Sequence, residues 1–343
     1  MIIGLRGVAN KPKMIYADGV GRIANNISPY LVDAANQIVT SRSSGPLSSL
    51  PSVRFGNMPN NGEGLLLSRD ERVKMVADWP TANRFVRRTL GTTEFIDGVD
   101  RWCLWIEDED LSAAKRIKPI SERIQKVRSD RLKSKDDGAN KLADRAHQFR
   151  DRTVGKSKSI LIPGVSSERR EYIPVGWIDA DVVITNLAHV VYDAPLWLFS
   201  VLSSRMHITW VRAVAGGLET RIRYSSAICY NNFPFPKITG DQRKEMETCA
   251  ESVLATREKY FPKTIAQLYD PDTMPAELLA AHHALDHAIE QCYRTKPFAS
   301  DEERLEYLFA LYEQMTAAEA GELFTPPAPT KAKARTRKPS SHA

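Results

Sequence analysis

Hydrophobic and polar positions divide the chain into a mixed front part and a helical back part. The run Ile2-Ile3-Gly4-Leu5 reads as a strand with nothing before it to pair with, the last strand of a sheet that is missing. Residues 22–67 are rich in Ser, Asn, Gly and Pro, which predicts loops and crossovers between short strands. Ser68 is a good N-cap and Glu71 completes a capping box, so a helix starts there and stops before Pro80. Arg101 to Ile106 reads as a buried strand. The segment from Leu111 to Arg152 is helical in pattern, with a break near Pro119. Strands follow at 159–162, 172–177 and 182–184, and residues 195–214 read as one apolar helix. Gly216-Gly217 marks a turn, after which Leu218 to Tyr224 alternates as a half-buried strand does. Pro234 and Pro236 end the mixed region. From Asp241 to Ala320 the pattern is helical throughout, with helices over 241–260, 275–294 and 301–319 separated by Pro262, Pro271 and Pro297.

Composition changes this picture little. The 343 residues suit about two domains. With 42% hydrophobic and 26% charged residues the chain can build a core, which excludes disorder as a whole. The most apolar stretch, Ala194 to Ala215, is interrupted by Arg205, His207 and Arg212 and is not a membrane span. The first residues lack the layout of a secretory signal. Cys103, Cys229, Cys249 and Cys292 are scattered, which suits free thiols in a reducing cytoplasm.

Charge is more informative when divided. The formal net charge is +6. Five cations, Lys331, Lys333, Arg335, Arg337 and Lys338, lie in a Pro- and Ala-rich tail that predicts disorder. Ser112 to Lys158 holds 15 Lys or Arg against 6 Asp or Glu, net +9, whereas Lys237 to Glu322 holds 9 against 17, net −8. A basic middle points to a polyanion such as nucleic acid, and the plainer alternative is a solvated helix face.

Motifs for catalysis are not found. His283 and His287 share a helix face with His282 beside them, but there is no intervening Glu of the metalloprotease kind and no third ligand. Packing or surface histidines are the expectation. Gly216-Gly217 lacks the phosphate-loop pattern, no Gly-x-Ser-x-Gly is present, and Cys103 in an apolar strand is expected to be inert. The Asn/Asp/Ser-Pro-Pro-Tyr/Phe loop of amino-methylases is absent.

Recognition chemistry remains. Ser166, Ser167, Arg169 and Arg170 put two hydroxyls and two guanidiniums beside a strand, groups favoured as phosphate and base contacts. Glu219, Arg221 and Arg223 alternate, which predicts that they share one strand face. A carboxylate accepts from the cytosine amine while an arginine clamps guanine, so the pair can read one G·C pair. A surface cross-strand ion pair is the alternative reading.

Several segments together resemble one family. They are Ile27-Ser28-Pro29-Tyr30-Leu31, Phe55-Gly56-Asn57-Met58-Pro59, Arg101-Trp102-Cys103-Leu104-Trp105 and Val165-Ser166-Ser167-Glu168-Arg169-Arg170-Glu171-Tyr172-Ile173-Pro174. Further along come Ser204-Arg205-Met206-His207, Arg223-Tyr224-Ser225, Tyr230-Asn231-Asn232-Phe233-Pro234 and Leu268-Tyr269-Asp270-Pro271 with Met274-Pro275. Their order over residues 1–316 resembles the C-terminal half of the MmeI-like type IIG restriction-modification enzymes, adenine-specific DNA methyltransferases.

The resemblance implies an α+β fold. Residues 1–20 would end a methyltransferase domain, 21–236 would form a DNA target recognition domain of mixed α/β type with short twisted sheets, and 237–321 an all-helical C-terminal domain. Residues 322–343 would be a disordered basic tail. The family's specificity pair falls on Glu219 and Arg221, with Arg223 next in the strand and a further position near Asn186 and Leu187. Ser166, Ser167, Arg169, Arg170, Lys156, Lys158, Arg205 and Tyr224 would contact backbone or support the reading, and the basic helix at 115–152 would hold phosphates. The family's motifs for S-adenosylmethionine, for the methylated amine and for the nuclease metal lie upstream of the matched region. This chain is therefore expected to bind no cofactor and to catalyse nothing alone, S-adenosylmethionine being expected for the complete enzyme. The implied partners are double-stranded DNA and a separate methyltransferase/nuclease half, in a prokaryotic cytoplasm at the nucleoid, with no membrane. The rival expectation is a decayed fragment or a protein-interaction module docking through its acidic helices.

Overall fold

The computed structural model describes residues 12–17, 20–36 and 38–321. The expected strand at Ile2 to Leu5 and the expected disordered tail lie outside them. Strands β1 (Lys13–Ala17) and β2 (Val20–Ala24) form an antiparallel hairpin. Then come β3 (Arg54–Phe55), β4 (Leu66–Ser68), α1 (Arg69–Asp78), β5 (Val86–Leu90), α2 (Thr92–Asp97) and β6 (Arg101–Leu104). The basic segment supplies α3 (Leu111–Lys115), α4 (Lys118–Leu132) and α5 (Asp137–Lys141). Next are β7 (Ser159–Pro163), β8 (Val165–Ser166), β9 (Gly176–Ile178), β10 (Val183–Ile184) and β11 (Ala188–Val191). Helices α6 (Leu196–Leu202) and α7 (Arg205–Val214) precede the hairpin β12 (Gly216–Leu218) and β13 (Arg221–Arg223). The chain continues with α8 (Gly240–Lys259), α9 (Ile265–Leu268), α10 (Ala276–Tyr293) and α11 (Asp301–Glu319).

Among the described residues two large bodies of core result, with a smaller cluster around Leu90, Leu161 and Ile184 between their sheets. In the first, β10-β5-β6-β4 make a mixed sheet, with β10 parallel to β5 and the other pairs antiparallel. Apolar positions Ile120, Ile124 and Val127 recur along α4 at helical spacing and pack with Leu65, Leu67 and Leu104. Position 131 continues that buried stripe with an arginine. Arg131 is 0% exposed and donates to the carbonyls of Pro59, Asn60, Leu142, Arg145 and Gln148. Five donors fixed in a planar fork satisfy loop carbonyls that water cannot reach. Burial lowers the Arg131 pKa from its ordinary value.

In the second body the sheet β3-β11-β7-β9 is antiparallel, and every residue of β7 is buried. Its large cluster joins Val201, Met206 and Trp210 of α6 and α7 to Met246, Leu285 and Leu308 of the C-terminal helices. The mixed part and the helical part thus share one core. Tyr172 stacks on His282 with ring centroids 4.1 Å apart, and the Tyr269 hydroxyl lies 2.7 Å from His282 Nε2. His282 is a core group, while His283 and His287 are exposed. Among the described residues no His, Cys, Asp and Glu cluster able to hold a metal occurs, and no helix is long and apolar enough to cross a membrane.

Three local expectations need correction, and one strand was missed. The helix expected over 195–214 is two helices, because the Ser204 hydroxyl accepts the His207 N–H at 3.2 Å and caps a new start. Gly216-Gly217 is strand rather than turn; the turn falls at Glu219-Thr220, between the paired Leu218 and Arg221. The strand expected at 172–177 begins only at Gly176, since Pro174 has no N–H to donate to a ladder. The strand β11 was not anticipated, its Ala-His-Val-Val being too short to show a period.

Candidate functional site

Strand β8 pairs with β13, and β13 with β12, to make a small three-stranded sheet. In β13 Ile222 is buried while Arg221 and Arg223 are exposed, as the alternation predicted. Glu219 is not on that strand. It sits in the two-residue turn with φ of 59°. The left-handed conformation costs a non-glycine residue roughly 1 kcal/mol. From there its carboxylate still meets Arg221, Nη2 to Oε2 at 2.9 Å. The two side chains are 77% and 48% exposed, so the bond is a solvated one worth about 0–1 kcal/mol and opens cheaply. Among the described residues the Arg223 guanidinium has no partner. The hairpin thus offers two guanidinium forks and one carboxylate to solvent.

The Ser166–Arg170 segment lies against this hairpin. Ser166 pairs in register with Ile222, and its hydroxyl accepts from Arg170 Nη1 at 3.3 Å. Burial lowers the Arg170 pKa. A cavity of about 260 Å³ opens beside Arg221, walled by Thr92, Thr93, Asp97, Ser166, Ser167 and Arg170. Ser167 Oγ accepts the Arg169 N–H at 3.3 Å. The Arg169 side chain is held by Asp272 at 2.5 Å, a hydrogen bond that raises its pKa. The Asn186 N–H donates to Asn57 O at 3.1 Å, and Leu187 beside it is 62% exposed. The Leu187 carbonyl accepts from Thr92 Oγ1. Arg221, Ser166, Ser167 and Arg170 therefore line one cavity, and the Asn186 turn is joined to it through Thr92, while the Ser166 side chain, in register with buried Ile222, lies on the other side of the strand pair from Arg221 and Arg223.

Other expected residues lie elsewhere. Lys156 and Lys158 stand before the start of β7, whose five residues at about 3.3 Å each separate them from Ser166. The Lys156 N–H and Ser157 N–H bind Asp193 Oδ1, bonds that lower the Asp193 pKa, and Lys158 is paired with Asp179 at 2.5 Å. Tyr224 is 5% exposed with its hydroxyl 3.1 Å from His207 Nε2. Burial raises the Tyr224 pKa and pushes His207 down to about 3, so both are neutral core groups. Arg205 is clasped by Asp301 at 2.8 Å and Glu171 at 3.7 Å, joining α7 to α11. Tyr224 and Arg205 act on the scaffold behind the site. Within the basic segment Arg131 is buried, and Arg123 is bonded to the Gly64 carbonyl and to Glu71. Of the exposed cations of α4, Arg128 meets Asp144 at 3.5 Å, and Lys118 and Lys126 have no partner among the described residues.

Two residues of the site were not singled out from sequence, Asn57 and Thr92. Asn57 lies in the Phe55–Pro59 motif, where Gly56 is needed because a Cβ there would meet the Thr185 carbonyl oxygen at 2.2 Å. Thr92 carried no signal beyond following Gly91.

Comparison with known proteins gives this arrangement a family. Residues 33–237 match the MmeI target recognition domain, and residues 238–319 the MmeI C-terminal domain. The chain belongs to the MmeI family. It is 44% identical over 304 residues to DNA methyltransferase A of Bacillus subtilis (strain 168), a match covering 89% of this chain and 34% of that protein. The fold matches the solved structure of the type IIL restriction-modification enzyme MmeI in complex with DNA, with TM-score 0.81 and 36% identity. That match covers 90% of this chain and 42% of the other, so the chain spans less than half the length of both proteins.

Proposed function

We propose that this chain is the sequence-recognition part of a site-specific, adenine-directed DNA methyltransferase of restriction-modification type. The observation that carries the reading is the exposed hairpin where Arg221 and Arg223 share a strand face and Glu219 reaches Arg221 from the turn at 2.9 Å. A guanidinium that can leave a solvated carboxylate is free to clamp guanine O6 and N7, and the released carboxylate can accept from the cytosine amine. Asn186 carries an amide suited to adenine, and its turn is tied to this site through Thr92. Residues 21–236 carry the reading and 237–321 buttress it through the shared core. Lys118 and Lys126 supply phosphate contacts, so binding weakens steeply with salt.

The relatives' names imply S-adenosylmethionine for the complete enzyme, which would flip the target adenine out of the duplex. Gly216-Gly217 does not suit that cofactor: it runs in the hairpin strand β12, not in a strand-to-helix turn able to cradle it.

Selection from a random duplex pool at moderate salt tests the reading. An enriched motif of about six base pairs is expected. The double change Glu219→Lys with Arg221→Asp is expected to alter the preferred base at one position. General weakening with the motif unchanged would remove the base-reading role. A folded chain that binds no DNA would overturn the function and favour a protein-interaction module.

A further inference from the structure

We propose that Thr92 is a positioning residue for sequence reading, its hydroxyl tying the separate reading segments into one rigid unit; this rests on the DNA-reading function proposed above. A threonine hydroxyl has one proton to give and lone pairs to receive. Thr92 Oγ1 uses both, donating to the Leu187 carbonyl and accepting the Gly164 N–H at 3.0 Å. The Gly164 carbonyl in turn accepts the Tyr224 N–H at 3.0 Å, immediately after Arg223. One side chain therefore connects the Asn186 turn, the entry to β8 and the exit of β13. The close approach depends on Gly164, where a Cβ would lie 3.0 Å from the Leu187 carbonyl oxygen.

The far side of the Asn186 turn is held independently. Asn57 is 1% exposed, its carbonyl accepts the Asn186 N–H, and its amide donates to Ile184 O at 3.0 Å and Thr153 O at 2.8 Å. With Asn57 as one jaw and Thr92 as the other, the turn has a fixed position relative to Arg221. Thr92 is half-buried and belongs to none of the apolar clusters. Loss of its hydroxyl leaves the cores intact and frees the loops. Base reading needs donors held to fractions of an ångström, whereas phosphate contact tolerates movement.

Thr92→Val removes the hydroxyl at nearly constant volume, and Thr92→Ser keeps it. In the duplex selection with the full chain, Thr92→Val is expected to stay folded, melting a few degrees lower, and to keep its salt-sensitive binding to unselected DNA. Its preference for the enriched motif should fall about tenfold, the scale of one unsatisfied hydrogen bond. Thr92→Ser should restore that preference to within about threefold. Amide exchange at Gly164 should quicken in the valine variant alone. An unchanged motif preference in Thr92→Val overturns the assignment, as does equal weakening on selected and unselected DNA. If the valine variant melts early, the three proteins are compared at a temperature below its transition, with Thr92→Ser as the folded control. A wild-type chain that enriches no motif overturns the reading function itself, and with it the role of Thr92, even where Gly164 exchange responds.

Discussion

Arg131 in α4 is fully buried and donates to five backbone carbonyls, whereas Arg221 in β13 keeps 48% of its side chain exposed and meets one carboxylate. Both are cations of the same kind. The first has exchanged every water for a carbonyl of the 59–60 and 142–148 loops, so it stabilises the fold and is closed to a ligand. The second holds its donors in a bond that water already weakens, so it contributes little to the fold and is open to a ligand. Net charge along a segment therefore overstates the recognition surface. Within the +9 segment, Arg131 and Arg123 work inward and the exposed lysines face out.

The sharpest break of that comparison is Arg131→Met. It keeps apolar volume, empties five carbonyls of their partner, and is expected to cost about 3–5 kcal/mol of stability. Urea denaturation measures it. The same substitution at Arg221 should change stability by less than about 0.5 kcal/mol. If the two variants unfold together, the division between inward and outward arginines is wrong.

A second expectation concerns the junction of α7 with α10 and α11. Asp286 Oδ2 accepts from the Tyr172 hydroxyl at 2.7 Å and Oδ1 from the Arg205 N–H at 2.6 Å. Both bonds favour the carboxylate, but burial outweighs them and pushes its pKa up to about 7. Glu290 adds to the rise, while the Arg205 guanidinium opposes it. Because the folded pKa lies above the ordinary 3.8, the folded state holds a proton that the unfolded chain has released. The stabilisation is full below about pH 4 and is lost as pH rises through about 7, with a slope approaching about 1.4 kcal/mol per pH unit. Asp286→Asn should flatten that slope in urea titrations from pH 4 to 8. An Asn variant with the wild-type slope would place the titration elsewhere.

Much of this was legible where bonds are local. Ser68 Oγ accepts the Glu71 N–H at 3.2 Å and Glu71 Oε2 the Ser68 N–H at 2.8 Å, so four residues suffice to mark that helix start. The long C-terminal helices show their period over 18 to 20 residues. The split at Ser203-Ser204 was hidden because an apolar run masks a cap inside it. Arg131 carried a signal, since it follows Ile120, Ile124 and Val127 on one helix stripe, but a tally of charge passes over spacing. At the site, alternation sufficed for Arg221 and Arg223. The buried Tyr224 and the clasped Arg205 depend on partners 17 and 96 residues away, while Glu219 left the strand because the two-residue turn falls on it and Thr220. Thr92, with partners 72 and 95 residues away, had no local trace at all.

The smallest expected effect tests whether an outward arginine can be partly withheld. Arg169 adjoins the residues proposed to read DNA, yet its guanidinium lies 2.5 Å from Asp272 of the loop before α10. The side chains are 56% and 69% exposed, so the pair is solvated and its removal should leave the fold unchanged. On DNA the carboxylate competes with phosphate for the same donors and repels the backbone as well. Asp272→Asn is therefore expected to tighten binding on the order of two- to fivefold at low salt, the gain vanishing as salt rises. Competition binding over a salt series measures this, with Arg169→Ala as the partner variant. If Asp272→Asn tightens binding equally in the Arg169→Ala background, the gain comes from net charge alone and Arg169 is not withheld. If it tightens only when Arg169 is present, the acidic helical part modulates the recognition part through this one contact.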